Sequence, residues 1–301
     1  MNILVKDKLI GIIKSLRPNQ WYKNLLIFAA IFFSGHFFET EKMLATTIGF
    51  FALCFLSSGT YVLNDMIDFE KDRNHAKKRQ RPIASGLISK QEGVLIALCS
   101  YIIGFILSYY SGMSFLSLGL SLIALNFSYI FVFREIPFAD IVVLSTNFII
   151  RTIAGATIIN VTVSPWLFLE TFLLALFLST SKRKADLIML GENAQKYKKV
   201  FQTYNVNLID NMNIIFVTSI LITYALFTFQ STAKHQQLTL MTIPIVFFIV
   251  LKYYGYSFQK EKNAIDITAD PELLFIKDKQ MVFAIICWAL IIFLAYYFEL
   301  P

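Results

Sequence analysis

Apolar residues come in long uninterrupted runs, and polar residues gather in the gaps between them. Runs of roughly 17 residues or more, long enough for a helix to cross a bilayer, fall near 22–38, 43–63, 94–110, 113–133, 138–160, 163–180, 211–230, 238–256 and 281–299. Nine spans are therefore expected, the first and third being short. Gly112 and Pro137 mark tight linkers that make the helices on either side antiparallel neighbours. Ahead of the first run, Ile3 to Leu16 mixes apolar residues with Lys6, Lys8 and Lys14. That is the pattern of a basic amphipathic helix lying on a membrane surface, within 1–20.

Composition agrees with this pattern. At 301 residues, 56% hydrophobic and with a mean hydropathy of +0.61, the chain is too apolar for a soluble protein of its length. It reads as an all-α integral membrane protein forming a single polytopic domain over 1–301. The N-terminal cations and the lack of a small-residue cleavage pattern argue against a secretory signal peptide. Charge then sets the orientation. Of 27 Lys and Arg, only Lys42, Lys234 and the mid-span Arg151 fall outside alternate gaps and the span ends that border them. The positive-inside rule places those gaps, the N-terminus and the long loops 64–93, 181–210 and 257–280 in the cytoplasm, and the C-terminus outside a plasma membrane. Long loops usually carry function, so the active site is expected at the cytoplasmic face. Cys54, Cys99 and Cys287 lie far apart inside apolar runs without His neighbours and read as packing residues. No nucleic-acid partner is expected, and homo-oligomer formation is left open.

Candidate chemistry begins where the second run ends. No charge lies between Met43 and Leu63, and then Asp65, Asp68 and Asp72 arrive. On a continuing helix these sit at i, i+3 and i+7, on one face. Carboxylates so placed repel one another unless a cation fills the gap, and hard oxygen ligands with open positions suit Mg2+ completed by substrate phosphates. The plainer alternative is a solvated helix end capped by Asn64 and offset by Lys71 and Arg73. The neighbouring basic segment favours the metal: from Arg73 to Gly86, with Lys77, Lys78, Arg79 and Arg81, it sets phosphate-binding cations beside metal-binding acids. Within the spans, Asp140, Asn147 and Arg151 share a helical face and Glu170 lies midway along the next run. Such groups are expensive in a bilayer; they are expected to line a water-filled cavity, with Arg151 and Glu170 paired. His36, His75 and His235 are scattered, and no Ser-His-Asp or Cys-His set appears.

The pattern N-D-x-x-D-x-x-x-D at 64–72, with R-P-I-A-S-G after it at 81–86, resembles the first aspartate-rich motif of the UbiA superfamily of intramembrane prenyltransferases. Ser15 to Asn24 (SLRPNQWYKN), Arg151 to Gly155 (RTIAG) and Asp270 to Leu274 (DPELL) are similar to its decaprenyl-phosphate phosphoribosyltransferase branch. The resemblance implies a UbiA-like helical bundle with cytoplasmic cap loops, and transfer of 5-phosphoribosyl from phosphoribosyl diphosphate to a polyprenyl phosphate. It implies Mg2+ on Asp65, Asp68 and Asp72 as the catalytic group. Substrate phosphates and their surroundings would then fall to Lys23, Asn64, Lys78, Arg81, Asn147, Arg151, Lys182 and Arg183.

One departure bears on donor choice. Superfamily members typically carry a second aspartate-rich motif after the sixth span, whereas this chain has Lys182, Arg183 and Lys184 with the single carboxylate Asp186. Extra cations suit a donor with phosphates at both ends, although they also obey the positive-inside rule. Two rivals remain. A prenyltransferase using a prenyl diphosphate and an aromatic or glycerophosphate acceptor predicts a second acidic motif. A lipid-phosphate carrier predicts paired breaks in the helices of two halves, of which only scattered examples such as Pro165 and Pro244 are present.

Overall fold

The computed structural model describes residues 3–74, 78–231, 233–259 and 262–298. Among them the chain is helical, without strands, and it divides into two compact units: 1–131 with 150–163, and 132–149 with 164–301.

The first unit begins with α1 (Ile3–Leu16), whose Leu9 and Ile13 are half exposed. The chain then breaks. Arg17 takes a left-handed backbone (φ 51°), Pro18 opens a 3-10 stretch (Pro18–Leu26), and only seven residues continue as α2 (Ile27–Phe33). The apolar run at 22–38 is thus not one continuous helix. Ser58 donates to the Leu16 carbonyl (2.7 Å) and Trp21 to Ser58 (3.0 Å), fastening this bend to α3 (Thr40–Ile67). A short α4 (Phe69–Arg73) leads to the basic segment, and α5 (Lys90–Tyr110) starts in a capping box between Ser89 and Glu92. α6 (Met113–Phe131) returns after the turn at Gly112 (φ 108°), and the second half of α7 (Ala139–Ile158) completes the unit. Ile27, Leu53, Phe115, Leu122 and Ala154 form its core. α7 lies so close to the bend that a Cβ on Gly155 would fall on the Ile27 carbonyl.

The second unit takes the first half of α7, then α8 (Pro165–Leu190), α9 (Ala194–Tyr197), α10 (Val206–Phe229), α11 (Gln236–Met241), α12 (Ile243–Tyr256), α13 (Lys262–Ala269), α14 (Leu274–Lys277) and α15 (Lys279–Tyr297). Phe177, Ile220, Val250, Tyr253 and Met281 form one core cluster, and Ile141, Val200, Phe201, Tyr204 and Ile209 another. Asp278 caps α15, accepting from the Gln280 and Met281 amides, and takes Lys252 (2.8 Å) and Tyr256 from α12. Burial alone would raise the Asp278 carboxyl, but these donors hold it down at about 2.

Among the described residues seven helices are long and apolar enough to cross a membrane: α3, α5, α6, α7, α10, α11 with α12, and α15. The protein is a multi-pass membrane protein, and the expected count of nine is not confirmed. The run at 22–38 is interrupted by the 3-10 stretch. The run at 163–180 belongs to α8, which carries Glu170 and continues through Lys182, Arg183 and Lys184. No Gly or Pro intervenes before Gly191, which ends α8 with a positive φ of 51°. The loop expected at 181–210 therefore starts as helix.

Candidate functional site

The acid cluster of the first unit is built by a bend and a tight turn. α3 stops at Ile67, and Asp68 caps it (φ −84°, ψ 8°), so the three carboxylates do not share one continuing helix. Asp65 lies on the last turn of α3 and Asp72 on α4, and both are buried. The turn at 81–88 then brings a cation back to them. Ser85 donates its backbone amide to Arg81, Gly86 (φ 81°) to Ile83 and Ile88 to Pro82, while buried Ile83 and Ile88 anchor the turn against Val62 and Ala97. In this geometry Arg81 Nη1 lies 2.9 Å from Asp65 Oδ1 and 2.6 Å from Asp72 Oδ2. Arg17 Nη2 donates to the same Asp65 oxygen, and its guanidinium sits 5.3 Å from the Tyr61 ring centroid.

Two buried carboxylates are thus matched by two guanidiniums. The expected gathering of acids and cations is present, with Arg17 more central than its place in the sequence suggested. Among the described residues, no three His, Cys, Asp or Glu side chains stand close enough to hold a metal between them. Asp65 and Asp72 nevertheless converge on one cationic nitrogen. One or two carboxylates completed by substrate phosphates are the usual protein share of a Mg2+ site, so the donor chemistry fits that ion. Asp68 and Asn64 stand beside the pair, both partly exposed, and the Asn64 carbonyl accepts the Asp68 amide (2.9 Å). Lys78 opens the one-turn helix before Arg81; His75 and Lys77 lie outside the described residues. Lys23 is partly exposed, its ammonium 5.8 Å from the Tyr22 ring.

The in-span polar residues take part in hydrogen bonds, tertiary for Arg151 and Glu170 and within the helix for Asn147. Arg151, buried, donates from Nε to Asn24 Oδ1 (2.7 Å), and Asn24 in turn donates to Cys54 Sγ (3.2 Å). Glu170 accepts from Thr223. Each of the two thus has a hydrogen-bond partner within its own unit. Asn147 is buried and donates to the Val143 carbonyl.

In the second unit the cations on α8 each meet a carboxylate. Lys182 pairs with Asp270 (3.2 Å), Arg183 with Asp140 (2.9 Å) and Asp186 (3.5 Å), and Lys184 with Asp210 (2.5 Å) beneath the Phe258 ring. The picture of three cations facing one acid is thereby corrected, because Asp140, Asp210 and Asp270 come from distant parts of the sequence. The environments differ. Arg183 and Asp140 are buried, and Tyr204 completes the group by donating to Asp140 (2.7 Å) while accepting from the Phe138 amide (2.6 Å). Burial and the adjacent Asp140 push the Tyr204 hydroxyl well above the ordinary tyrosine range. Lys182 and Asp270 are about half exposed, and an ion pair of that kind is easily redirected.

Known proteins share both the sequence pattern and the helical bundle. The UbiA prenyltransferase family profile matches residues 25–276. The chain belongs to the UbiA prenyltransferase family. As a family member it is a transferase, and its fold agrees: it is similar to a UbiA homolog from Archaeoglobus fulgidus bound to DMAPP and Mg2+, with a TM-score of 0.71 and 17% identity over 94% of this chain and 96% of the other. Among relatives by sequence, a Mycolicibacterium smegmatis protein named decaprenyl-phosphate phosphoribosyltransferase is 27% identical over 98% of this chain and 95% of its own length. A Corynebacterium glutamicum protein of the same name is 31% identical over 73% of this chain and 67% of its own.

Proposed function

We propose that this UbiA-family enzyme transfers 5-phosphoribosyl from phosphoribosyl diphosphate to a polyprenyl phosphate. The observation that carries this reading is the buried Asp65–Asp72 pair held by Arg17 and Arg81, which sets acids for a metal beside guanidiniums for phosphate; the names of the relatives supply the donor and acceptor. In the reaction an oxygen of the lipid phosphate attacks C1 of the ribose, the C1–O bond to diphosphate breaks, and diphosphate leaves with the electron pair. The nucleophile is already an anion at neutral pH, so no strong base is needed. The protein's task is to align the substrates and stabilise charge on the leaving group.

Asp65 and Asp72, with Asp68 and Asn64 at the edge, would hold Mg2+, which supplies charge neutralisation for the departing diphosphate. Arg81 and Lys78 bind donor phosphates, and Lys23 serves as a phosphate contact near the bend. Lys182, half exposed and weakly held, reads a further phosphate. Arg151, Asn147 and Arg183 act as positioning residues through their hydrogen-bond and ion-pair partners. The skew of Lys and Arg supports an N-terminus and active site in the cytoplasm of a plasma-membrane protein, with the C-terminus outside.

Membranes containing the protein, supplied with polyprenyl phosphate and ribose-labelled phosphoribosyl diphosphate, should transfer label into the lipid extract. EDTA or Asp72→Asn should abolish the transfer. Label retained in the aqueous phase by a correctly inserted wild-type protein would contradict the reading.

A further inference from the structure

Arg81 occupies the point on which the two buried carboxylates converge. Its Nη1 stands 2.9 and 2.6 Å from oxygens of Asp65 and Asp72. A Mg2+ ion bound by the same oxygens would lie about 2.0–2.1 Å from each, inside the space the nitrogen fills. The guanidinium and the ion exclude each other there by both volume and charge. Arg17 reaches Asp65 alone among these acids, so Arg81 is the bridging cation. Its side chain is also 24% exposed while those of the acids are 3 and 4% exposed, so it sits at the rim of the cluster with room to turn outward.

Charge makes the exchange conditional. Two carboxylates and two guanidiniums balance, and a divalent ion entering alone would leave surplus positive charge in a water-poor setting, where unpaired charge is costly. A diphosphate arriving with the ion removes the surplus and gives the displaced guanidinium a bidentate anionic partner.

We propose that Arg81 is a placeholder for the metal: it holds Asp65 and Asp72 in the donor-free protein and surrenders them when a diphosphate takes its guanidinium. Metal and diphosphate then bind with positive linkage, and each tightens the other by the same factor. The proposal rests on reading the acid cluster as a metal–diphosphate site and adds the order in which its cations change places.

The test uses the full chain in lipid nanodiscs, Mn2+ as the metal and inorganic pyrophosphate as the diphosphate, with protein-retained Mn2+ measured by equilibrium dialysis. An Asp65→Asn/Asp72→Asn double variant serves as the blank for chelation by pyrophosphate in solution. Wild type should bind Mn2+ weakly alone and about tenfold or more tightly with pyrophosphate, within the usual range of coupling between sites. Arg81→Gln should bind Mn2+ alone more tightly than wild type does and gain less from pyrophosphate. Arg81→Lys, which keeps the charge but not the fork, should fall between the two and serves if the Gln variant does not fold. If neither variant holds Mn2+ better than wild type in the absence of pyrophosphate, Arg81 is no placeholder. Equally tight Mn2+ binding by wild type with and without pyrophosphate overturns the linkage while leaving the metal site standing. If Mn2+ is never retained above the blank, the metal reading fails, and this proposal with it.

Discussion

Burial distinguishes neighbouring cations on α8, where Arg183 is enclosed and Lys182 is about half exposed. The Arg183 guanidinium is shielded from solvent and shares Asp140 with the Tyr204 hydroxyl. Removing one partner of such a pair strands the other charge, so Arg183→Met should destabilise by about 3–5 kcal/mol. Changing Asp140 to Leu as well should restore much of that loss. Unfolding monitored against denaturant in detergent, run as a double-mutant cycle, measures the coupling. Lys182, one residue earlier and half exposed, should give the opposite profile on substitution by Ala, with stability retained and donor affinity reduced. The sequence separates these neighbours poorly. Lys182, Arg183 and Lys184 look alike as a basic run, and their partners Asp140, Asp210 and Asp270 are brought to them only by folding. Arg17 was obscured for the same reason, since its link to Asp65 spans 48 positions.

At the level of elements, the long apolar runs were legible because bilayer-length hydrophobicity is a strong signal, and the exceptions have local causes. The run at 22–38 is interrupted because Arg17 and Pro18 start a 3-10 stretch whose Asn24 is taken by Arg151. α7 crosses the start of α2 at Ile27, where Gly155 leaves no room for a side chain. Gly155→Ala should therefore lower the yield of folded protein and its melting temperature, whereas Gly255→Ala, whose added Cβ would meet nothing within 4 Å beyond its own helix backbone and chain neighbours, should lower neither. Size-exclusion profiles and thermal melts of the two variants distinguish them. The join between α12 and α15 should respond to pH. The Asp278 carboxyl is held at about 2, below its ordinary 3.8, so the ionised form is favoured by folding. Its contribution is complete above about pH 4 and disappears as the pH falls through about 2. The stability gap between wild type and Asp278→Asn should be constant from pH 7 to about 4 and close below that.

For the whole molecule, membership of the UbiA family and a multi-pass helical fold rest on hydrophobic length, the aspartate-rich motif at 64–72 and the extent of similarity to relatives. The exchange of cations at the acid cluster was not legible, because N-D-x-x-D-x-x-x-D suggests a metal site and only the turn at 81–88 shows an arginine in its place. The choice of donor decides the reaction, since the same acid pair would serve a prenyl diphosphate as readily as phosphoribosyl diphosphate. The most direct test offers purified enzyme in nanodiscs both donors at once, with Mg2+, a polyprenyl phosphate and an aromatic acceptor, and identifies the lipid products by intact mass. The expected product is a polyprenyl phosphate heavier by one phosphoribosyl group, formed with release of diphosphate and absent from the Asp72→Asn protein. A prenylated aromatic product, with the polyprenyl phosphate unchanged in mass, would contradict phosphoribosyl transfer.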